Sequence, residues 1–120
     1  MFIGKVSALT GASRKAIRHY EEIGLLANIE RSGNYRIYNK HHIVIIGMIK
    51  RAQALGFKLA EIAPLVISKH QKHRFPLEIA LQAIEEKRTK IKSEIQQAKQ
   101  LDKALASLKS ELDHLFSDSI

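Results

Sequence analysis

The chain contains no cysteine and only 2 prolines among 120 residues. The absence of cysteine excludes disulfides, thiolate metal sites and thiol redox switches from this chain. Long apolar runs are also missing, because none approaches the roughly 20 residues that a membrane-spanning helix needs. The start of the chain does not have the layout of a signal peptide. We therefore expect a soluble, cytoplasmic protein with no membrane partner.

Recognisable catalytic constellations are absent as well. No candidate nucleophile stands with a base and an anion-stabilising loop, and there is no phosphate-cradling glycine motif or carboxylate pair. Histidines stand at His41, His42, His70 and His73, but adjacent histidines point to different sides of a helix. No cysteine or carboxylate joins His70 and His73 at ligand spacing. We predict surface histidines, no metal, no cofactor and no enzymatic activity.

Acidic residues are scarce in the first part of the chain, although the net charge of the whole is +8. Residues 1–70 hold 11 lysines and arginines against 4 acidic residues, a balance of +7, whereas residues 71–120 hold 9 against 8, a balance of +1. An evenly basic surface would not divide in this way. The asymmetry indicates that the N-terminal part meets phosphates and the C-terminal part has another role.

Apolar spacing near the N-terminus predicts two short helices joined by a tight turn. Phe2 and Ile3 are expected to form a very short strand before a helix of roughly Gly4 to Thr10, which Gly11 ends. Ser13 is a candidate N-cap for the second helix. That helix has one buried stripe, consisting of Ala16, Ile17, Tyr20 and Ile23. Its outer face is then basic and consists of Arg14, Lys15, Arg18 and His19.

A short hairpin and two further helices should follow. From Ile29 to Tyr38 the pattern alternates around Ser32-Gly33-Asn34, the turn chemistry of a tight hairpin. Arg31 and Arg36 would flank this turn. Apolar periodicity predicts a third helix from about Lys40 to Leu55 and a fourth from about Leu59 to Ser68.

The pattern of the last third of the chain predicts one long helix, which follows a polar, basic linker. No glycine or proline follows Pro76 before Phe116. A lone helix of this length cannot bury its own apolar seam, so it needs a partner, and we predict a homodimer. The alternative is that the helix folds back on the N-terminal domain. The predicted seam consists of Ile84, Ile91, Ile95, Ala98, Leu101, Leu105, Leu108, Leu112 and Leu115.

Five pieces of sequence stand in an order and spacing that resemble the MerR family of bacterial transcription regulators: Ile3-Gly4-Lys5-Val6, Arg18-His19-Tyr20-Glu21, Gly24-Leu25-Leu26, Tyr35-Arg36-Ile37-Tyr38 and Ala54-Leu55-Gly56-Phe57-Lys58-Leu59. The resemblance implies a mainly α fold, with a winged helix-turn-helix domain at 1–70 and a small β-hairpin wing. The long helix at 76–116 is similar to the family's antiparallel coiled-coil dimerisation helix, and the residue pattern adds a linker at 71–75 and a tail at 117–120.

The same resemblance implies roles for individual residues. Arg14, Lys15, Arg18 and His19 are similar to recognition-helix contacts. Tyr20 matches an aromatic whose hydroxyl can reach a phosphate, and packing in the core is its alternative role. His19 stands where a tyrosine is usual, and the wing turn is one residue shorter, with Asn34 where glycine is typical. The wing contacts to DNA would come from Arg31, Tyr35, Arg36 and Tyr38.

The function implied is that of a homodimeric regulator that binds duplex DNA at a two-fold-related promoter site and distorts it, with RNA polymerase as a further partner. Two alternatives remain: an architectural or excisionase-like DNA-bending protein, and a coiled-coil adaptor with a basic head. Family members that sense metals or oxidants use cysteines near the dimer helix, and this chain has none. Only four residues follow Phe116, so no separate effector domain is expected. Phe75, Leu77 and Leu81 are candidates to line a small organic effector site, although core packing explains them equally well.

Overall fold

The computed structural model describes residues 1–118 and divides the chain into two compact units, Met1–Pro76 and a second that begins at Leu77. The fold is mainly α, as predicted. No helix within residues 1–118 combines the length and apolar character needed to cross a membrane. In chain order, the elements are α1 (Ile3–Thr10), α2 (Arg14–Glu22), β1 (Glu30–Ser32), β2 (Tyr35–Ile37), α3 (Lys40–Ala54), α4 (Leu59–Lys72) and α5 (Leu77–Phe116).

The turn between α1 and α2 positions the second helix. Gly11 adopts a left-handed conformation with φ of 76°, which ends α1. The Ser13 hydroxyl accepts a hydrogen bond from the Ala16 backbone N–H at 3.0 Å, so the predicted N-cap is confirmed. The predicted strand at Phe2 and Ile3 is wrong, because Phe2 is the extended N-cap residue of α1 and Ile3 is its first helical residue.

The N-terminus forms backbone hydrogen bonds with the residue that follows the hairpin, although it is not a strand. The Tyr38 backbone N–H donates to the Met1 carbonyl at 2.7 Å, and the Met1 amino group donates back to the Tyr38 carbonyl at 3.0 Å. The segment after β2 is therefore tied to the N-terminus by two hydrogen bonds.

The hairpin, which we call the wing, is a two-stranded antiparallel sheet. Arg31 and Arg36 are Cα partners across it, and Ser32 pairs with Tyr35. Gly33 has a φ of 62°. A two-residue turn with glycine first and positive φ there matches the right-handed twist of the strands. The predicted position of the turn is confirmed.

A single apolar core stabilises the N-terminal unit. Each of its helices contributes at least one buried side chain, and Tyr38 reaches into it from the end of the wing. Ile17 and Tyr20 bury the inner face of α2, as the stripe predicted, while Ala16 and Ile23 lie at the margin of the core. The buried apolar residues are Val6, Ala12, Ile17, Tyr20, Leu25, Leu26, Tyr38, Ile45, Ile46, Ile49 and Val66.

The fourth helix is longer than its apolar pattern predicts. It continues past Ser68 to Lys72, and His73 then adopts a left-handed conformation with φ of 55°. Gln71 and Lys72, which we placed in the linker, are therefore helical. Pro64 lies inside α4, at its sixth residue.

The long helix α5 spans 40 residues, or about 60 Å at 1.5 Å per residue. None of its residues is buried. The predicted seam residues are all exposed, from 45% at Ile84 to 66% at Leu115. The apolar seam of α5 is thus uncovered along its length.

Candidate nucleic-acid interface

The outer side of α2 is a cluster of exposed basic side chains. Ile17 and Tyr20 turn inward to the core, and this orientation places the residues at the other helical positions in solvent. Nδ1 of His19 lies 4.0 Å from Oε2 of Glu22, which is long for an ion pair, and both side chains are more than half exposed. The attraction between them is therefore weak. We call the exposed set the basic face of α2; it consists of Arg14, Lys15, Arg18 and His19.

The wing adds further basic and aromatic groups. Arg31 and Tyr35 are exposed, and the Tyr35 ring meets Phe2 edge-on with centroids 5.9 Å apart. Phe2 was not among the predicted site residues, because nothing in the local sequence links it to a residue 33 positions later. The N-terminus thus supports the wing through a ring contact as well as through backbone hydrogen bonds.

Arg36 is held by an ion pair that the sequence did not reveal. Its Nε lies 2.6 Å from Oε2 of Glu21 in α2, and both side chains are about one-third exposed or less. The opposite charges of the two groups attract each other at this distance. The carboxylate of Glu21 raises the pKa of Arg36. Glu21 therefore fixes the wing to α2 and partly neutralises one of the predicted phosphate contacts.

Tyr20 is a core residue in this structure. Its side chain is 2% exposed, and its hydroxyl donates to Oε1 of Gln53 at 2.6 Å. A tyrosine has one O–H donor, so a bond to a phosphate would require the Gln53 bond to break. Burial raises the pKa of Tyr20. Of the two roles predicted for this residue, the geometry favours core packing.

Tyr38 is buried without a hydrogen-bond partner. Its residue is 1% exposed, and its hydroxyl bonds to no group within residues 1–118. The ring packs edge-on against His42 with centroids 6.0 Å apart. Burial raises the pKa of Tyr38, and the nearby charge of Glu21 adds to the increase. The O–H donor of Tyr38 is thus unused, but an incoming acceptor reaches the buried hydroxyl only after neighbouring side chains move.

Three histidines form hydrogen bonds within the N-terminal unit: His41, His42 and His70. The prediction of surface histidines is wrong for His42, which is 2% exposed: its Nδ1 accepts from the Asn39 backbone N–H at 3.1 Å and its Nε2 donates to the Ala27 carbonyl at 2.5 Å. His70 Nε2 donates to the Leu25 carbonyl at 2.7 Å. Partial burial lowers the pKa of His41, and the neighbouring charge of Lys69 lowers it further. No group of three or more His, Cys, Asp or Glu suited to a metal occurs in the described chain.

Two protein-family models match this chain, one over its N-terminal part and one over a later, overlapping part. Residues 1–68 match the model of the MerR HTH family regulatory protein, and residues 43–108 match the model described as MerR, DNA binding.

Curated relatives extend the match. The regulator CueR of Escherichia coli O6:H1 is 32% identical over 109 residues, which cover 90% of this chain and 80% of CueR. HmrR of Sinorhizobium medicae is 35% identical over 86 residues, 71% of this chain and 58% of HmrR. The chain thus spans somewhat more than half of HmrR and most of CueR. The mercuric resistance operon regulatory protein of Bacillus cereus is 32% identical over 111 residues, 89% of this chain and 81% of its own length.

Solved structures share the fold. A MerR family regulator from Listeria monocytogenes aligns with a TM-score of 0.62 at 21% identity, covering 98% of this chain and 87% of its own. PbrR691 from Ralstonia metallidurans, solved with lead(II), aligns with a TM-score of 0.61 at 24% identity, covering 92% and 85%. These structures show the shared fold, while the family models and the curated relatives show that the chain belongs to the MerR family of DNA-binding transcription regulators.

Proposed function

We propose that the protein binds duplex DNA as a homodimer at a two-fold-related promoter site, distorts that site, and thereby regulates transcription by RNA polymerase in the bacterial cytoplasm. The observation that carries the proposal is the basic face of α2, whose four residues are exposed beside a basic wing. A helix that follows a tight turn and presents such a face suits the major groove.

Different groups of this surface have different tasks. Arg14, Lys15, Arg18 and His19 enter the groove, where one or two of them reach base edges and the others contact phosphates. On the wing, Arg31 and Tyr35 are exposed and contact phosphates of the DNA backbone beside the groove. Arg36 also contacts the DNA backbone while it remains ion-paired with Glu21. Tyr38, whose unpaired hydroxyl is buried in the free protein, donates to a phosphate oxygen once neighbouring side chains move aside.

Dimerisation comes from the seam of α5. Its isoleucines and leucines are 45–66% exposed, and water is excluded from them when a second copy of the helix packs against them. We propose the antiparallel pairing that is typical of the family. Two DNA-binding units at a fixed separation select half-sites of one spacing, and DNA whose relaxed form does not match that spacing must bend or untwist. The dimer helix therefore sets the distortion.

An effector remains a prediction. Two relatives are named for heavy metals and for mercury, and PbrR691 was solved with lead(II). This chain has no cysteine, so a metal effector would need another ligand set. We therefore propose an organic effector rather than a metal ion.

The test is selection of bound duplexes from random-sequence DNA by the full chain. We expect recovery of two half-sites with two-fold symmetry and one constant spacing, because a dimer presents two identical faces. Recovery of unrelated sequences would contradict sequence-specific binding, and a single half-site would contradict the dimer. Transcription in vitro from a promoter that carries the selected site then separates a regulator from a DNA-bending protein that leaves transcription unchanged.

A further inference from the structure

Gly4 and Arg14 lie against each other where α1 and α2 begin. Gly4 is the second residue of α1 and Arg14 is the first of α2. A Cβ placed on Gly4 would lie 2.8 Å from Nη2 of Arg14, 3.5 Å from its Cζ and 3.8 Å from its Nε. Real Cβ atoms essentially never approach another heavy atom closer than 3.0 Å. The guanidinium of Arg14 therefore occupies space that a side chain at position 4 would need.

The backbone of Gly4 does not require glycine. It lies inside a helix, and the positive φ angles of glycines in this chain occur at Gly11, Gly24, Gly33 and Gly56. An alanine would favour the helix, since glycine is a poor helix former. The space filled by Arg14 is thus the reason the structure provides for glycine at this position.

No ion pair or side-chain hydrogen bond within residues 1–118 fixes the Arg14 guanidinium. The side chain is exposed. A long, exposed arginine loses substantial rotamer entropy when it binds a fixed partner. The absence of a Cβ at Gly4 leaves open an orientation of this side chain that a larger residue would exclude, and losing a binding-competent orientation weakens binding.

We infer that Gly4 is a positioning residue for DNA binding: its missing side chain lets the Arg14 guanidinium lie against α1, in the orientation from which it contacts DNA. The inference rests on the proposed function, because it assumes that the basic face of α2 meets DNA. A larger residue at position 4 moves the flexible end of Arg14 and leaves the fold intact.

The test uses the full chain and the duplex that the wild-type protein selects from random-sequence DNA, with a scrambled duplex of equal length. Gly4→Ala should weaken binding to the selected duplex by about 3- to 10-fold, a fraction of the loss of one good contact. Its melting temperature should stay the same or rise, because alanine favours the helix. A loss confined to the selected duplex indicates a base contact of Arg14, and an equal loss on both duplexes indicates a phosphate contact.

Gly47→Ala is the matched control. Gly47 is also helical, and a Cβ there meets nothing within 4 Å. This variant gains the same helix preference but should bind DNA like the wild type. In an Arg14→Ala background, Gly4→Ala should have no further effect on affinity, because the side chain through which Gly4 acts has been removed.

Three results would overturn the inference: wild-type affinity in Gly4→Ala, an equal loss of affinity when Arg14 is already alanine, or a lower melting temperature, which would show that position 4 supports the fold. Failure of the proposed function is distinct. It would be seen with the wild-type protein alone, as the absence of any selected sequence, before a variant is measured.

Discussion

The two units of this chain stabilise their structure in opposite ways. Within Met1–Pro76, 11 apolar residues are buried, and they come from four helices, the turn between α1 and α2, the segment after α2 and the end of the wing. In α5, by contrast, not one of 40 residues is buried. The N-terminal unit contains its own hydrophobic core, whereas α5 carries apolar side chains that only another chain or segment can cover.

Charged side chains follow the same division. In the N-terminal unit, the ion pair of Arg36 with Glu21 joins the wing to α2. In α5, Glu85 and Arg88 pair at 3.0 Å three residues apart on one helix face, with both side chains more than half exposed. Exposed pairs of this kind contribute little to stability. Charges therefore fix tertiary geometry in the first unit and mainly keep the helix soluble in the second.

The largest effect is expected from a charge in the seam. Leu105→Glu places a carboxylate at an apolar position that is 58% exposed in the single chain. The dimer should dissociate at micromolar concentration in sedimentation equilibrium. Affinity for a two-half-site duplex should fall by about 100-fold or more, because the second DNA-binding unit loses its high effective concentration.

Ser107→Glu is the control for this substitution. It adds the same charge two residues later, and residues two apart do not share a helix face. It should remain a dimer. A Leu105→Glu protein that still sediments as a dimer would show that the seam does not form the interface.

The core of the N-terminal unit provides the next largest effect. Ile46 is 0% exposed, and Ile46→Ala should lower the free energy of unfolding by about 2–5 kcal/mol, because burial is lost and a cavity remains. Val44→Ala, on the same helix at a position 57% exposed, should change it by less than about 0.5 kcal/mol. Urea titration measures both. Equal losses would contradict the assignment of the core.

DNA binding tests the basic face of α2. Arg18→Ala should weaken binding to the selected duplex by about 10- to 100-fold in fluorescence anisotropy, as expected for a side chain that reaches a base edge. Lys103→Ala removes one positive charge from exposed α5 and is the control. Similar losses in both variants would indicate that only the net charge matters. Unchanged affinity of Arg18→Ala would exclude this residue from the interface.

Elements governed by local chemistry could be predicted from the sequence, and elements governed by distant contacts could not. Ser13 caps α2 within three residues and Gly33 sets the wing turn, so both were predictable. The end of α4 was not, because its last turns lack apolar periodicity. His70 bonds there to the carbonyl of Leu25, 45 residues away.

The candidate site divides in the same way. The exposure of the basic face of α2 follows from the apolar stripe on the other side of the helix, which the sequence displays. The partners of two site residues do not follow from it. Gln53 binds Tyr20 from 33 residues away, and Glu21 reaches Arg36 only because the wing folds against α2. Nor does any sequence pattern indicate that Tyr38 has an unpaired hydroxyl.

Two tyrosine hydroxyls sharpen this distinction between core and interface. Tyr20→Phe leaves Gln53 without its partner, so the free energy of unfolding should fall by about 1 kcal/mol while DNA affinity stays unchanged. Tyr38→Phe removes a hydroxyl that has no partner within the described chain. It should leave stability unchanged or slightly higher and should weaken DNA binding. Reduced DNA affinity of Tyr20→Phe with unchanged stability would restore the phosphate role to that residue.

The smallest expected effect is a dependence of stability on alkaline pH. Burial raises the pKa of Tyr20 above its ordinary value of 10.0, so the folded chain retains a proton that the unfolded chain releases. This contribution to stability is complete below pH 10.0 and is lost as the pH rises through the folded pKa. Tyr20→Phe should therefore lose less stability than the wild type between neutral and alkaline pH in urea titrations. Parallel losses in both proteins would show that the hydroxyl is as well solvated when folded as when unfolded, which would contradict its place in the core.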